Sequence, residues 1–418
     1  MELNSAFTSL ILLINIQGYL TLPYNLTVKC EPQNICALRE DNVSLTCSYS
    51  DIDITNVFWI SQKQRTNWRN KDEPEDLTLD SDYSGRVDQW ITKDYSILRI
   101  YHLRERDSGE YQVMFIMKDG VKHLSSVTVN LTVTVLQVKI HQESTELKNQ
   151  KLKLTCDTSC TLTSRPKQIS WRKDGQHLKK HESKILETVS SAAYSCLLNA
   201  EISAPVCLSN SSCWGVTYTS RRVCALVGST VDIHSSYSHP TGDTVEKTYW
   251  HLQKNNISKY LDLRDVHQFA GRVEYMGNTL RIKDVNMSDA GEYRFRIITN
   301  TDSYSGSPGV ILTVTGTKVR SSPDPVIDGE KVILSCLTGC TLDNKHTYIW
   351  YKNGQQVTDG LTLLNKLYLD SINSEELQEY SCTVRDTIDK TNEAVDSSVF
   401  LSLLVFLPQF LIIEALWM

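Results

Sequence analysis

Asp289-Ala290-Gly291-Glu292-Tyr293, with its counterpart Asp107-Ser108-Gly109-Glu110-Tyr111, constrains this chain more than any other stretch. Asp-x-Gly-x-Tyr marks the entry to a strand at the corner of an antiparallel two-sheet sandwich. There the tyrosine enters the core and its hydroxyl returns to upstream backbone. Two residues beyond the tyrosine such strands normally carry the core cysteine, and Phe295 stands there instead. Strand side chains alternate faces, so Phe295 points inward with Tyr293 while Arg294 and Arg296 point away from the core.

A buried-type tryptophan followed by a tyrosine corner recurs four times, which suits 418 residues as about four units of ~100 residues. The expected fold is all-β: four tandem immunoglobulin-like β-sandwiches, a variable-like/constant-like pair repeated twice. The first unit, 20–136, holds Cys47, Trp59 and Tyr111; the second, 137–203, holds Cys156, Trp171 and Cys196. The third, 212–316, holds Trp250 and Tyr293; the fourth, 317–392, holds Cys336, Trp350 and Cys382. The cysteines repeat with the units: Cys36 recurs as Cys224, Cys156 as Cys336, Cys160 as Cys340 and Cys196 as Cys382. A two-domain module is used twice.

Twelve cysteines in such a chain point to an oxidising compartment. Cys156–Cys196 and Cys336–Cys382 have the spacing of bridges across a sandwich core, each contributing about 2–4 kcal/mol. Cys160 and Cys340 then need partners, and the repeat supplies Cys36 and Cys224 in the preceding variable-like units. We expect Cys36–Cys160 and Cys224–Cys340 as bridges between neighbouring units. Cys30, Cys47, Cys207 and Cys213 keep more than one pairing, Cys30–Cys47 with Cys207–Cys213 among them. No cysteine lies between Cys224 and Cys336, and Ser235 stands where Cys47 stands in the first unit. The third core must therefore rest on Trp250, Phe295 and its alternating aliphatic positions. The Cys-x-x-x-Cys spacings at 156/160 and 336/340 lack a second Cys or His pair at ligand distance, which sets zinc aside.

The net charge of -6 and the absence of a long basic run argue against nucleic acid as partner. Six Asn-x-Ser/Thr sites, at Asn25, Asn42, Asn130, Asn210, Asn256 and Asn286, are expected glycosylation acceptors. Residues 1–18 read as a signal peptide. The apolar segment 399–418 reads either as a transmembrane helix or as the tail of a lipid-anchor precursor. Either anchor places the chain on the extracellular face of the plasma membrane. Neither a Walker loop, a His-Glu-x-x-His helix nor a Gly-x-Ser-x-Gly elbow occurs, so no enzyme, cofactor or metal is expected. Arg86 with Asp107, and Arg272 with Asp289, read as exposed structural ion pairs at the lower end of the variable-like units, each worth about 0–1 kcal/mol.

Four segments of the third unit carry a resemblance: Cys213-Trp214-Gly215-Val216-Thr217-Tyr218, Val223-Cys224-Ala225-Leu226, Gly271-Arg272-Val273-Glu274-Tyr275-Met276-Gly277-Asn278 and Tyr293-Arg294-Phe295-Arg296. Together they resemble the sialic-acid-binding immunoglobulin-type lectins. The likeness covers the third and fourth units well and the first pair in outline. It implies an immune receptor, of B cells among others, whose partners are sialylated glycoproteins or glycolipids on cells. It implies that Arg296 makes a bidentate salt bridge to the sialic acid carboxylate, a task suited to two parallel guanidinium donors. It further implies that Trp214 packs on the glycerol chain of the sugar and Tyr304 on its N-acetyl methyl. The family's disulfide within one sheet is missing here, Ser235 and Asn278-Thr279-Leu280 offering no cysteine. The first unit has Met114 and Leu26 at the positions of Arg296 and Trp214, so it should not bind sialic acid. The competing expectation is an adhesion or immune receptor that recognises another cell-surface protein and keeps only a relic of the lectin site.

Overall fold

The computed structural model describes residues 26–50, 53–142, 152–164, 168–178, 183–189, 192–208, 213–253, 260–324, 326, 328–342, 346–360 and 362–386. The expected signal peptide, the apolar segment 399–418 and the acceptors Asn25, Asn210 and Asn256 lie outside the described residues. Among those described, no helix is long and apolar enough to cross a membrane. The chain divides into two compact units, residues 1–320 with 337–343, and residues 321–336 with 344–418.

The first unit carries three sandwiches. In the first, Thr27–Cys30, Val43–Ser50, Tyr95–Ile100 and Val87–Ile91 form one antiparallel sheet. The facing sheet runs Asn34–Leu38, Val129–Thr134, Gly109–Met117 and Ile54–Ser61, with Lys122–Leu124 added to Gly109–Met117. Its Asn34–Leu38 strand pairs parallel to Val129–Thr134. In that last strand Val129, Leu131 and Val133 are buried while Asn130 and Thr132 are exposed, the period of two that a half-buried strand requires. Trp59, Tyr111, Phe115, Leu45 and Leu98 fill the core without exposure. Burying each such side chain is worth about 1.5–3 kcal/mol.

The second sandwich packs Trp171, fully buried, in one cluster with the Cys156–Cys196 disulfide between its sheets. The third repeats the first: Arg222–Leu226, Val310–Thr315, Gly291–Thr299 and Val245–Gln253, with Ser303–Ser305 on Gly291–Thr299, face Val231–Ile233, Thr279–Ile282 and Val273–Met276. Arg222–Leu226 again pairs parallel to Val310–Thr315. Gly215–Tyr218 pairs separately with Ser235–Ser238. With no disulfide inside it, this core is held by rings. Trp250 meets Phe295 edge-on at 5.4 Å, and Tyr218 and Tyr237 pack on Trp250 and Phe295 at 5.8 and 5.6 Å.

Both tyrosine corners form. Tyr111 donates to the Asp107 carbonyl and Tyr293 to the Asp289 carbonyl, each at 2.6 Å. The ion pairs beside them differ from the sequence expectation. Arg86 and Asp107 have side chains 4% and 3% exposed, and Asp289 is fully covered above Arg272 at 2.8 Å. Each carboxylate takes two guanidinium bonds, and each arginine also donates to loop carbonyls, so the pairs are buried hubs that close the loop onto the corner.

In the second unit, residues 332–335 pair with Lys366–Leu369, and His346–Lys352 pairs with Tyr380–Asp386 and with Gln355–Gln356. Trp350 is fully buried, and Cys336–Cys382 joins the two sheets. All twelve cysteines are bonded. Cys36 pairs with Cys160 and Cys224 with Cys340, and the remaining four form Cys30–Cys47 and Cys207–Cys213. Around Cys36–Cys160 the backbone of Cys36 exchanges two hydrogen bonds with Thr163, which fixes the first sandwich against the second.

Candidate carbohydrate-binding face of the third sandwich

Pairing of Val245–Gln253 with Gly291–Thr299 sets Trp250 opposite Phe295 and Tyr249 opposite Arg296. Because side chains alternate, Tyr249, His251, Arg294 and Arg296 share the face turned away from the core. Ser303–Ser305 extends that face and places Ser305 opposite Arg296.

Arg296 lies with its guanidinium 3.9 Å above the Tyr260 ring, and its Nη2 donates to Ser303 Oγ at 2.8 Å. Among the described residues it makes no ion pair. Other arginines of the third sandwich do: Arg294 is doubly bonded to Glu292, Arg264 to Asp262, Arg281 to Asp232 and Arg272 to Asp289. Arg296 is thus a half-exposed cation with one flank stacked and most of its donors unspent. A guanidinium in that condition offers two parallel N–H groups to an incoming carboxylate.

The support beneath it is polar and tightly bonded. His251, 1% exposed, bonds Ser305 Oγ through Nε2 at 2.7 Å and meets the Tyr260 ring edge-on at 5.2 Å. Burial, with the charges of Arg294 and Arg296, lowers its pKa to about 4, so the ring is neutral at pH 7. Tyr249 donates to the Tyr260 carbonyl at 3.2 Å and carries Lys247 over its own ring at 4.9 Å. Asp262, two residues on, accepts from Arg264 and Tyr275 and pairs with Lys247. Burial alone would raise the Asp262 pKa, but those bonds outweigh it and bring the group down to about 2.

Trp214 and Tyr304 occupy another place. They stack on each other, 5.7 Å between centroids and 14° between planes, and both pack against the third core. Tyr304 is paired with Ile297, whose side chain is fully buried, so it stands on the opposite face from Arg296. On the face of Arg296 the strand register places Ser303 and Ser305. The Tyr304 hydroxyl abuts Gly175 of the second sandwich, where φ is +76° and a Cβ would come within 2.5 Å of it. Only glycine fits that contact.

Neither Tyr260 nor Ser303 was expected at this face from the sequence. Ser303 lies in the same strand as Tyr304 and follows from its register. Tyr260 sits in a connection whose path no hydrophobic period describes. In the first sandwich, Met114 on the matching strand position is 4% exposed and packs with Phe58, Ile60 and Trp68, an apolar cluster in place of the cationic face. The described acceptors Asn42, Asn130 and Asn286 are all exposed, as glycosylation requires.

No protein-family model matches the chain. Solved structures similar to it include the eight N-terminal immunoglobulin domains of Down Syndrome Cell Adhesion Molecule, at 16% identity over 87% of this chain and 46% of that one, with a TM-score of 0.29. The I-band fragment I67-I69 of titin is similar at 13% identity over 69% of this chain and 97% of that one, TM-score 0.24. The full ectodomain of mouse nectin-like molecule 4 is similar at 14% identity over 69% and 100%, TM-score 0.19.

Proposed function

We propose that this chain is the ectodomain of a cell-surface receptor or adhesion protein that binds sialylated glycans through Arg296 on the third sandwich. The observation that supports this reading is the state of that guanidinium: seated on Tyr260, bonded once to Ser303, and without a carboxylate partner among the described residues. The carboxylate of a sialic acid would complete the pair, and many weak copies on a membrane would add up to useful avidity. The test is binding of a multivalent sialylated probe to cells displaying the chain. Arg296→Ala should abolish it with the unfolding midpoint unchanged, Arg296→Lys should retain little, and sialidase treatment of the probe should match Arg296→Ala. Binding indifferent to both treatments would exclude the reading.

A second reading is supported by Tyr304. Its place on the other face leaves the proposed sugar site with no aromatic contributed by that strand, which favours recognition of another cell-surface protein by the Tyr260, Arg294 and Arg296 surface. Capture of a protein ligand that survives sialidase would select it.

A further inference from the structure

A cleft of about 340 Å³ opens where the third sandwich meets the second and the edge of the first. Four arginines line it, Arg39, Arg104, Arg221 and Arg222, against two glutamates, Glu40 and Glu201, an excess of two positive charges in a chain of net charge -6. The glutamates are already engaged: Glu201, 2% exposed, takes two bonds from Arg39, and Glu40 takes one from Arg222. Arg221 is not engaged in this way. Half-buried, it donates from Nη1 to the Pro308 carbonyl at 2.6 Å and has no ion pair among the described residues. Glu40, Glu292 and Glu201 act on Arg221 through space without bonding it, so this partly desolvated cation keeps donors open to an anion.

The stacked Trp214 and Tyr304 form one wall of the same cleft, and the hydroxyls of Ser195, Ser203, Thr217 and Thr219 line it elsewhere. Aromatic walls suit the apolar faces of sugar rings, and hydroxyls both donate and accept as sugar hydroxyls do. The volume suits a compact ligand of one or two rings better than an extended peptide, which advances about 3.3 Å per residue.

We propose that this cleft is a second binding site, for an anionic sugar unit whose carboxylate or sulfate pairs with Arg221. It is separate from the Arg296 face and does not rest on that reading. The experiment is titration calorimetry of the purified full chain with 3′-sialyllactose and, separately, with a sulfated heparin disaccharide, the two arms distinguishing the source of the anion. At least one should bind saturably with a Kd tighter than about 1 mM. Arg221→Gln should weaken that binding at least tenfold. Thr219→Trp, which fills the cleft while keeping every charge, should do the same and decides the matter if Arg221→Gln shifts the unfolding midpoint. Both cleft variants are made and titrated in an Arg296→Ala background, which removes the other proposed sugar-binding face so that only the cleft is read. The proposal is overturned if neither sugar binds, if both cleft variants bind like the Arg296→Ala chain, if Arg296→Ala by itself removes binding, or if an oligoglutamate peptide binds where neither sugar does.

Discussion

The backbone N–H of Phe295 donates to the hydroxyl of Tyr218 at 3.1 Å, and that hydroxyl donates in turn to the Gly306 carbonyl at 3.1 Å. Tyr218 is paired with Ser235, the same register in which the first sandwich joins Cys30 to Cys47. A buried phenol thus ties the Gly215–Tyr218 strand to the facing sheet, at a site where the first sandwich has a covalent bond within one sheet. Tyr218→Phe leaves the Phe295 amide without its acceptor, a loss of about 1–3 kcal/mol. The urea midpoint of the third sandwich should fall accordingly. Tyr218→Cys with Ser235→Cys should restore the bridge of the first sandwich and raise the oxidised midpoint above that of Tyr218→Phe. An unshifted midpoint for Tyr218→Phe would show that water replaces the phenol without penalty.

Arg86 and Asp107 are buried together, so removing one partner strands the other. Arg86→Met should cost about 3–5 kcal/mol, because Asp107 then keeps its charge or gains a proton away from water. The double variant Arg86→Met with Asp107→Leu should recover much of that loss. In the third sandwich the Arg272 side chain is 18% exposed, so Arg272→Met should cost less than Arg86→Met. Equal losses at the two sites would mean that burial does not set the scale.

The sandwich cores were legible because their signals are local. A tryptophan, a tyrosine corner and a strand of period two each report burial without knowledge of the partner strand, and the repeat of Cys36 as Cys224 carried the pairings with Cys160 and Cys340. The depth of Arg86 and Asp107 was not legible, since an Arg and an Asp 21 residues apart read the same whether a loop covers them or not. The face that Tyr304 takes was not legible for a related reason: one residue of register exchanges the faces of a strand. The outward face of Arg296 was legible from strand alternation beyond Tyr293, whereas its seat on Tyr260 depends on a connection that no periodicity constrains.

Tyr260 gives Arg296 its orientation, and this separates two roles of an aromatic residue. Tyr260→Ala should weaken binding of a multivalent sialylated probe about five- to tenfold, in line with about 1–1.4 kcal/mol for a guanidinium held over a ring. Tyr260→Phe keeps the ring and should bind like the parent. Because Tyr260 is 46% exposed, neither change should move the unfolding midpoint by more than about 0.5 kcal/mol. Parent-like binding by Tyr260→Ala would show that the ring does not orient the arginine.

His251 makes the third sandwich sensitive to mild acid. Its folded pKa is lowered to about 4, first by burial and then by Arg294 and Arg296, with Glu292 opposing them. The unfolded chain accepts the same proton near pH ~6.5. The stabilisation is therefore complete above that value, declines as the pH falls toward about 4, and levels off below. At about 1.4 kcal/mol per unit the loss is on the order of 3 kcal/mol. Asp262, lowered to about 2, adds a later decline: its contribution is full above the ordinary carboxylate value of ~3.9 and is lost as the pH drops to about 2. His251→Gln keeps a side chain able to bond Ser305 but has no proton to gain. Its unfolding midpoint, followed from pH 7 to pH 2, should fall less steeply than the parent's down to about pH 4 and leave the decline below pH 4 in place. Parallel curves for the two proteins would show that the acid sensitivity arises elsewhere.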